Sequence, residues 1–296
     1  MGFWTNILDR SIFFSFGNFG FKRHSRHFAA LDESFIFAKH FLITGGSSGI
    51  GRYLVSYLLD RGAKVTVLSR GKVDISHANM CHVKMDLADY KNVPSLIKDI
   101  TIVDVLVNNA GGMPGFSCRE NSLAEDIFAS QVFGHYVLTK ALINQKKLQE
   151  NARIIFVSSG GMYLQRLDLS DLRFEKLRFN KYRAYANAKR AQVILNELLA
   201  EKYPQYTWAC MHPGWVNSMG VKKAMPWFYY LMWPFLRTKA QGADSILYLA
   251  ISNDQLLSGK FYFDRKIEPF HLFSTTLESK SDRNQLLILC EAAYNS

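Results

Sequence analysis

The chain has 296 residues, 48% of them hydrophobic, and a formal net charge of +11. It is long enough for a sizeable core, and its basic residues are spread without a nucleic-acid-binding signature, so a membrane surface or a phosphorylated ligand is favoured over DNA or RNA. The four cysteines lack the C-x-x-C spacing of a zinc site, which predicts buried thiols in a reducing compartment, with no metal and no disulfide framework.

Residues 1–38 are predicted to form an N-terminal extension. An aromatic run at 11–21 is followed by a basic cluster at 22–27. The run is shorter than the ~20 apolar residues that span a bilayer, and its glycines are untypical of a signal peptide. Two interpretations stay open, packing against the rest of the chain and peripheral attachment to a membrane. The predicted location is intracellular, with the cytoplasm, a membrane face and the mitochondrion as alternatives.

Residues 39–296 are predicted to form one dinucleotide-binding oxidoreductase domain, because short apolar runs alternate there with longer amphipathic ones. Strands are predicted at 41–44, 65–68, 103–107, 153–157, 206–211 and 260–263, and helices at 50–61, 123–149 and 182–203. Strands separated by helices indicate a parallel sheet, and their continuous apolar character suits burial on both faces. The predicted fold class is α/β, a single Rossmann-type doubly wound parallel sheet with helices on both faces.

The first predicted strand ends in a glycine-rich turn that a helix follows directly. Glycines permit a tight turn and close approach of a pyrophosphate, and the helix N-terminus supplies free N–H groups and the positive end of its dipole. The turn therefore predicts a dinucleotide site. Its candidate contacts are Thr44, Gly45, Ser47, Ser48, Gly49, Ile50 and Gly51.

The second predicted strand ends at Ser69 and Arg70. An acidic residue there would accept hydrogen bonds from the ribose of NAD, whereas a guanidinium suits a 2′-phosphate. Arg70 therefore favours NADP(H) over NAD(H), with a solvated charge at a strand end as the alternative. The other cofactor candidates along this edge are Asp86 and Leu87, near the adenine, and Asn109, Ala110 and Gly111.

Tyr185 and Lys189 lie four residues apart in a predicted helix, so their side chains share one face. A cation beside a phenol favours the phenolate and lowers a pKa that starts near ~10. Such a phenol exchanges a proton with a carbonyl or an alcohol near neutral pH.

Five motifs in order resemble the short-chain dehydrogenase/reductase family over roughly residues 40–263. They are the Gly-rich turn at 44–51, Asn-Asn-Ala-Gly at 108–111, Ser159, Tyr185-x-x-x-Lys189, and Pro-Gly-x-Val-x-Ser at 213–218. The 26-residue separation between Ser159 and Tyr185 is similar to that of the retinol-dehydrogenase-like branch.

The resemblance implies roles for individual residues. Tyr185 would be the general acid/base, Lys189 would lower its pKa and hold the nicotinamide ribose, and Ser159 would bind the substrate oxygen. Many members carry an asparagine at the position of Gln131, where it positions the lysine through a water. Gln131 is either a working substitute or a weakened relay. The residues implied to flank the nicotinamide are Pro213, Gly214 and Val216.

The resemblance also implies a substrate lid at about residues 217–240. Its methionines and aromatic residues at 224–236 favour a small lipophilic carbonyl or alcohol as substrate, with core packing or oligomer contact as alternatives. The predicted function is NADP(H)-dependent hydride transfer. The alternatives are a cofactor-binding scaffold with weak or no turnover and a membrane-surface interaction protein. Family members often pair through their long central helices, which implies a homodimer.

Overall fold

The sheet is built from eight strands within residues 12–296, which are the residues that this computed structural model describes. The predictions for residues 1–11 lie outside the described residues. The strands are β1 His40–Thr44, β2 Lys64–Ser69, β3 Met80–Lys84, β4 Val103–Asn108, β5 Leu148–Val157, β6 Thr207–Met211, β7 Lys260–Phe263 and β8 Lys266–Glu268.

The strand order is β3-β2-β1-β4-β5-β6-β7-β8, and all neighbours are parallel except the antiparallel pair β7–β8. The order reverses between β1 and β4, which pair side by side. In open α/β sheets, ligands bind at the carboxyl ends of the strands at such a reversal. The fold therefore places the candidate cofactor residues after β1 and β4 in one crevice.

Helices cover both faces of the sheet and connect its strands. They are α1 Ile12–Phe16, α2 Asn18–His24, α3 Gly49–Leu59, α4 Val93–Leu96, α5 Asp126–Phe128, α6 His135–Asn144, α7 Lys181–Lys202, α8 Met219–Ala224, α9 Pro226–Met232, α10 Lys239–Ile251 and α11 Lys280–Tyr294.

Two large hydrophobic clusters lie on the two faces of the sheet. Along β1, Leu42 belongs to one cluster, while Phe41 and Ile43 belong to the other. Every residue of this strand is buried, as expected for a strand that is covered on both sides. The predicted doubly wound α/β fold is therefore confirmed.

The structure contains elements that were not predicted, among them β8 and α10, and three differences have a physical reason. The predicted helix at 123–149 is divided, because a π-helix at Ala129–Gly134 separates α5 from α6. β3 escaped prediction because it is an edge strand whose residues are half-buried or exposed. The helix α11 begins with a capping box formed by Ser279 and Asp282, a signal that the sequence offered and the prediction overlooked.

The part of the N-terminal extension that the structure describes packs against the sheet. The Arg237 side chain is buried and donates hydrogen bonds to the carbonyl oxygens of Ser15, Phe16 and Gly17 at 2.9, 2.9 and 3.3 Å. It also forms a buried ion pair with Asp264, and His24 Nδ1 lies 2.7 Å from the same carboxylate. These contacts join α1 and α2 to the carboxyl end of β7.

Candidate active site

The glycine-rich turn after β1 is packed tightly against the end of β4. Gly45 has a φ of +73°, and a Cβ on it would lie 2.9 Å from the Ala110 Cα. A Cβ on Gly51 would lie 2.4 Å from the Gly45 carbonyl oxygen and 2.7 Å from Asn109 Nδ2. These contacts leave no room for a side chain at either glycine, so the backbone alone forms this wall of the crevice.

Thr44 holds the turn and the end of β4 in register. Its hydroxyl oxygen accepts hydrogen bonds from the backbone N–H groups of Asn109 and Ala110, at 2.9 and 2.8 Å. In return, Asn109 Nδ2 donates to the Thr44 carbonyl oxygen at 2.9 Å. Thr44 and Asn109 thus fix the crevice.

The N-terminus of α3 points its free N–H groups at the same crevice. Gly49 begins the helix with a φ of +59°, and the extended Ser48 before it makes no side-chain cap within the described chain. The uncapped N–H groups and the helix dipole favour a bound anion. Ser47 and Ile50 beside them are half-buried, and the arrangement fits a pyrophosphate.

Arg70 lies exposed just after β2 and makes no hydrogen bond or ion pair with residues 12–296. A Cβ added to Gly71, the residue after Arg70, would lie 3.8 Å from the Ser47 hydroxyl. A guanidinium without a protein partner beside the glycine-rich turn is free to bind a phosphate.

Asp86 is engaged by the protein itself. Its carboxylate accepts a hydrogen bond from Arg119 at 2.7 Å and another from the backbone N–H of Ala88 at 3.1 Å. The following residue, Leu87, is buried. A Cβ added to Gly134 would lie 2.3 Å from the Leu87 carbonyl oxygen, so only glycine fits there. Leu87 therefore packs the loop after β3 against the π-helix, and Asp86 ties the same loop to Arg119.

Ser159, Tyr185 and Lys189 come together at the carboxyl end of β5. Ser159 follows this strand and starts a short 3-10 helix at Gly160–Leu164. Asn180 caps α7, and Tyr185 and Lys189 occupy successive turns of that helix. Lys189 Nζ lies 5.4 Å from the centre of the Tyr185 ring and donates a hydrogen bond to the Val157 carbonyl oxygen at 2.8 Å.

Burial governs the pKa values of this pair. It raises the pKa of Tyr185, and a hydrogen bond with Ser159 opposes that rise. It lowers the pKa of Lys189 to about 7. The direction for Tyr185 is opposite to the one predicted from the Tyr185–Lys189 spacing, because desolvation of the phenol outweighs the hydrogen bond with Ser159.

Gln131 lies in the π-helix and faces Lys189 across Gly111. Its Nε2 donates to the Gly112 carbonyl oxygen at 2.7 Å, while its Oε1 is buried with no hydrogen-bond partner in the part of the chain that the structure describes. A Cβ on Gly111 would lie 3.1 Å from that Oε1 and 3.2 Å from Lys189 Nζ. Gly111 therefore keeps open the space between the amide and the amine.

Gln192, which was not among the predicted site residues, connects Lys189 to the π-helix. Gln192 Oε1 accepts a hydrogen bond from Lys189 Nζ at 3.0 Å, and its Nε2 donates to the Gln131 carbonyl oxygen at 2.8 Å. Its Nε2 also lies 3.1 Å from Nδ1 of His135, whose Nε2 is 3.0 Å from the Thr44 hydroxyl. A polar residue three positions after the lysine, on the same helix face, was the available signal.

The Pro213-Gly214 segment is braced by the N-terminal extension. Gly214 has a φ of +73°, and a Cβ on it would lie 2.5 Å from Arg237 Nε and 2.6 Å from the Phe16 carbonyl oxygen. The Phe16 ring packs on Gly160, the residue after Ser159, where an added Cβ would lie 2.3 Å from the ring. Val216 is buried and contacts Gly242. Residues near the N-terminus thus support both the loop after β5 and the loop after β6.

The residues of the predicted lid divide into an inner and an outer set. Tyr229, Met232 and Leu236 are buried in a small cluster under α8 and α9. Trp227, Tyr230 and Trp233 are exposed. Core packing, one of the alternatives for the apolar residues of the lid, therefore explains the buried inner set but not the exposed outer set.

Neither a metal centre nor a membrane span is found in the residues that the structure describes. They contain no group of three or more His, Cys, Asp or Glu side chains that could hold a metal ion. None of their helices is both long and apolar enough to cross a bilayer. The cysteines are free thiols, of which Cys210 and Cys290 are buried and Cys118 is half-buried; the predicted burial is wrong for Cys81, which is exposed on the edge strand β3.

Comparisons with known proteins agree with this geometry. The family model for short chain dehydrogenases matches residues 39–170. Dehydrogenase/reductase SDR family member 12 of Bos taurus is 34% identical, over 92% of this chain and 92% of its own. Retinol dehydrogenase 12 of Homo sapiens is 29% identical, over 76% of this chain and 77% of its own. 

A crystal structure of an uncharacterized protein from Mycobacterium paratuberculosis is similar with a TM-score of 0.71 at 21% identity, covering 88% of this chain and 95% of that one. This likeness supports the fold alone, whereas the Bos taurus relative matches 92% of this chain in sequence. The resemblance seen in the motifs is confirmed, and the chain belongs to the short-chain dehydrogenase/reductase family of oxidoreductases.

Proposed function

We propose that the protein is an NADP(H)-dependent oxidoreductase that interconverts a carbonyl and an alcohol on a small lipophilic substrate. The observation that carries the proposal is the placement of Tyr185 against Ser159, with Lys189 one turn further along α7. The amine of the same lysine lies beside Gly111, at the edge of the cofactor crevice. The apolar lid and the retinol dehydrogenase relatives support a lipophilic substrate.

The protein's part in the reaction is to bind, orient and transfer a proton. A bound nicotinamide cofactor supplies or accepts the hydride. The glycine-rich turn and the N-terminus of α3 would hold its pyrophosphate, and Arg70 would hold its 2′-phosphate. Ser159 would hydrogen-bond the substrate oxygen. The Tyr185 phenol would exchange a proton with that oxygen, giving it when a carbonyl is reduced and taking it back when an alcohol is oxidised.

The cofactor preference is tested by isothermal titration of NADPH and NADH against the wild type and Arg70→Ala. We expect NADPH to bind more tightly, and the substitution to weaken NADPH at least about tenfold with little effect on NADH, since a charge-assisted hydrogen bond contributes roughly 1.5–3 kcal/mol. Lys64→Ala, at the exposed opposite end of β2, is the matched control. Tighter binding of NADH would contradict the role of Arg70.

The catalytic role of Tyr185 is tested with cofactor oxidation on a panel of lipophilic aldehydes and ketones. Tyr185→Phe should lower kcat by about 100-fold or more, because it removes the proton donor while keeping the ring. Tyr182→Phe changes an exposed phenol of the same helix and should leave the rate unchanged.

The same assay distinguishes an enzyme from a cofactor-binding scaffold. The scaffold is an alternative because the chain has Gln131 where many family members have an asparagine. A wild type that binds NADPH but is no faster than Tyr185→Phe on every substrate would favour a cofactor-binding scaffold with little or no turnover.

A further inference from the structure

The outer surface of the lid exposes large apolar side chains at helical spacing. Trp227, Tyr230 and Leu231 share one face of α9, and Trp227 is 76% exposed. The opposite face is fixed by Tyr229 and Met232, which are buried beneath it. The exposed side chains are thus presented by an anchored helix.

This surface continues onto the N-terminal extension. The ring of the exposed Phe19 in α2 lies 5.9 Å from the ring of Phe235, which follows the end of α9. The Tyr229 ring lies 6.3 Å from Trp233 and 5.5 Å from Tyr230. We call the exposed set the aromatic face; it consists of Phe19, Met219, Trp227, Tyr230, Leu231 and Trp233.

The two segments that build the aromatic face carry only positive charge. Residues 12–31 and 214–243 contain no Asp or Glu. Lys222 Nζ lies 5.4 Å from the centre of the Tyr230 ring, and Lys22, Lys223 and Lys239 are exposed in the same two segments. The aromatic face therefore has a cationic border with no acidic residue in either segment to neutralise it.

We infer that the aromatic face binds the surface of an anionic lipid bilayer. Tryptophan and tyrosine side chains settle at the headgroup level, leucine and phenylalanine enter the acyl boundary, and lysines attract anionic headgroups. A second copy of the chain fits less well, because pairing two such faces would bring like charges together. The inference rests on the shape and charge of this surface and not on the proposed reaction.

Vesicle flotation tests the inference with the full chain. Vesicles of phosphatidylcholine with phosphatidylserine are compared with vesicles of phosphatidylcholine alone. We expect the protein to float with the anionic vesicles, and less so at high salt. Trp227→Ser with Leu231→Ser should reduce the bound fraction at least about tenfold. Lys222→Ala with Lys223→Ala should weaken binding about fivefold for each lysine removed.

The control is Ile288→Ser, which removes a 67% exposed apolar side chain from α11 and should float like the wild type. Circular dichroism melting verifies that each variant is folded. Absence of flotation in the wild type would overturn the inference, as would equal flotation of the wild type and both double variants. The inference would also be overturned, in favour of a second copy of the chain, by a wild type that does not bind vesicles, forms a dimer in analytical ultracentrifugation, and loses that dimer in the Trp227→Ser, Leu231→Ser variant.

Discussion

At the scale of single residues, the Lys189 amine is held by a side-chain amide as well as by the backbone. Gln192 accepts a hydrogen bond from Lys189 Nζ and donates to the Gln131 carbonyl oxygen. In the pattern that the family implies, a water makes this connection. Burial lowers the pKa of Lys189. Since hydrogen bonding to the charged form of an amine stabilises that form, we expect Gln192 to oppose this effect.

Two substitutions of Gln192 should move the pH profile in opposite directions. Gln192→Leu removes the acceptor, so the pKa of Lys189 falls further and activity on the alkaline side should be lost at a pH roughly one unit lower. Gln192→Glu places an anion beside the amine, so the loss should move to higher pH. The measurement is kcat against pH for both variants and the wild type.

Opposite shifts cannot arise from structural damage alone, because damage lowers the rate without moving its pH dependence upward in one variant and downward in the other. If both variants keep the wild-type profile, Gln192 does not position the lysine.

The residues of the candidate site differ in how far the sequence revealed them. The spacing of Tyr185 and Lys189 predicted a shared helix face, which α7 provides. The balance of burial against charge that sets the Tyr185 pKa depends on neighbours from other elements, so spacing could not give its direction. Gln192 was missed because a glutamine in a helix is usually solvated, whereas here it is fully buried.

At the scale of elements, the crevice depends on the junction of β1 and β4. The Thr44 hydroxyl accepts two backbone N–H groups from the segment after β4 and is fully buried. Since a buried donor without a partner costs about 1–3 kcal/mol, this one oxygen stabilises both the sheet edge and the cofactor crevice.

Thr44→Val should therefore destabilise the protein by about 1–3 kcal/mol, because it keeps the shape of the side chain and leaves the Ala110 N–H without its acceptor. The Asn109 N–H keeps a hydrogen bond to the Val107 carbonyl oxygen at 3.0 Å. Thr44→Ser keeps the hydroxyl and should cost about 1 kcal/mol or less for the lost methyl group. Urea unfolding measures both variants. A Thr44→Val protein as stable as Thr44→Ser would show that the two hydrogen bonds contribute little.

The long helical segment shows where periodicity is insufficient. Apolar residues at helical spacing predicted one helix at 123–149, but the structure inserts the π-helix Ala129–Gly134. Gly134 packs against the Leu87 carbonyl oxygen, a contact from a distant part of the chain. Single π-turns change hydrophobic spacing by only one residue, so the pattern does not reveal them.

At the scale of the whole molecule, the N-terminal extension and the carboxyl end of the sheet depend on each other. Phe16 is buried, and its ring lies 4.5 Å from the His212 ring and 5.2 Å from the Phe263 ring. Burial on its own would raise the pKa of Asp264 beside them, but the hydrogen bond with His24 and the charge of Arg237 lower it. The carboxylate thus stays ionised inside this junction.

Phe16→Ala should destabilise the protein by about 3 kcal/mol or more, because it leaves a cavity beneath Gly160 and Trp215. The matched control, Phe19→Ala, removes the same side chain from an exposed position and should change the free energy of unfolding by about 0.5 kcal/mol or less. Thermal unfolding of the two variants is the comparison. Equal losses would mean that Phe16 is not part of the core.

The sequence predicted the sheet but could not decide how the extension is placed. Alternating apolar and amphipathic runs are local signals, and they indicated the strands β1, β2, β4, β5, β6 and β7. The docking of Phe16 and Gly17 depends on Arg237, 221 and 220 positions away. No local pattern in an aromatic, glycine-containing segment distinguishes such docking from attachment to a membrane.

The clamp of Arg237 on the first helix has a consequence for biosynthesis. Ribosomal synthesis makes residues 15–17 more than two hundred residues before Arg237, whose guanidinium donates hydrogen bonds to their carbonyl oxygens. Asp264, which neutralises that guanidinium, follows later still. The aromatic side chains of α1 and α2 therefore stay unburied during translation until the chain has been made as far as Asp264.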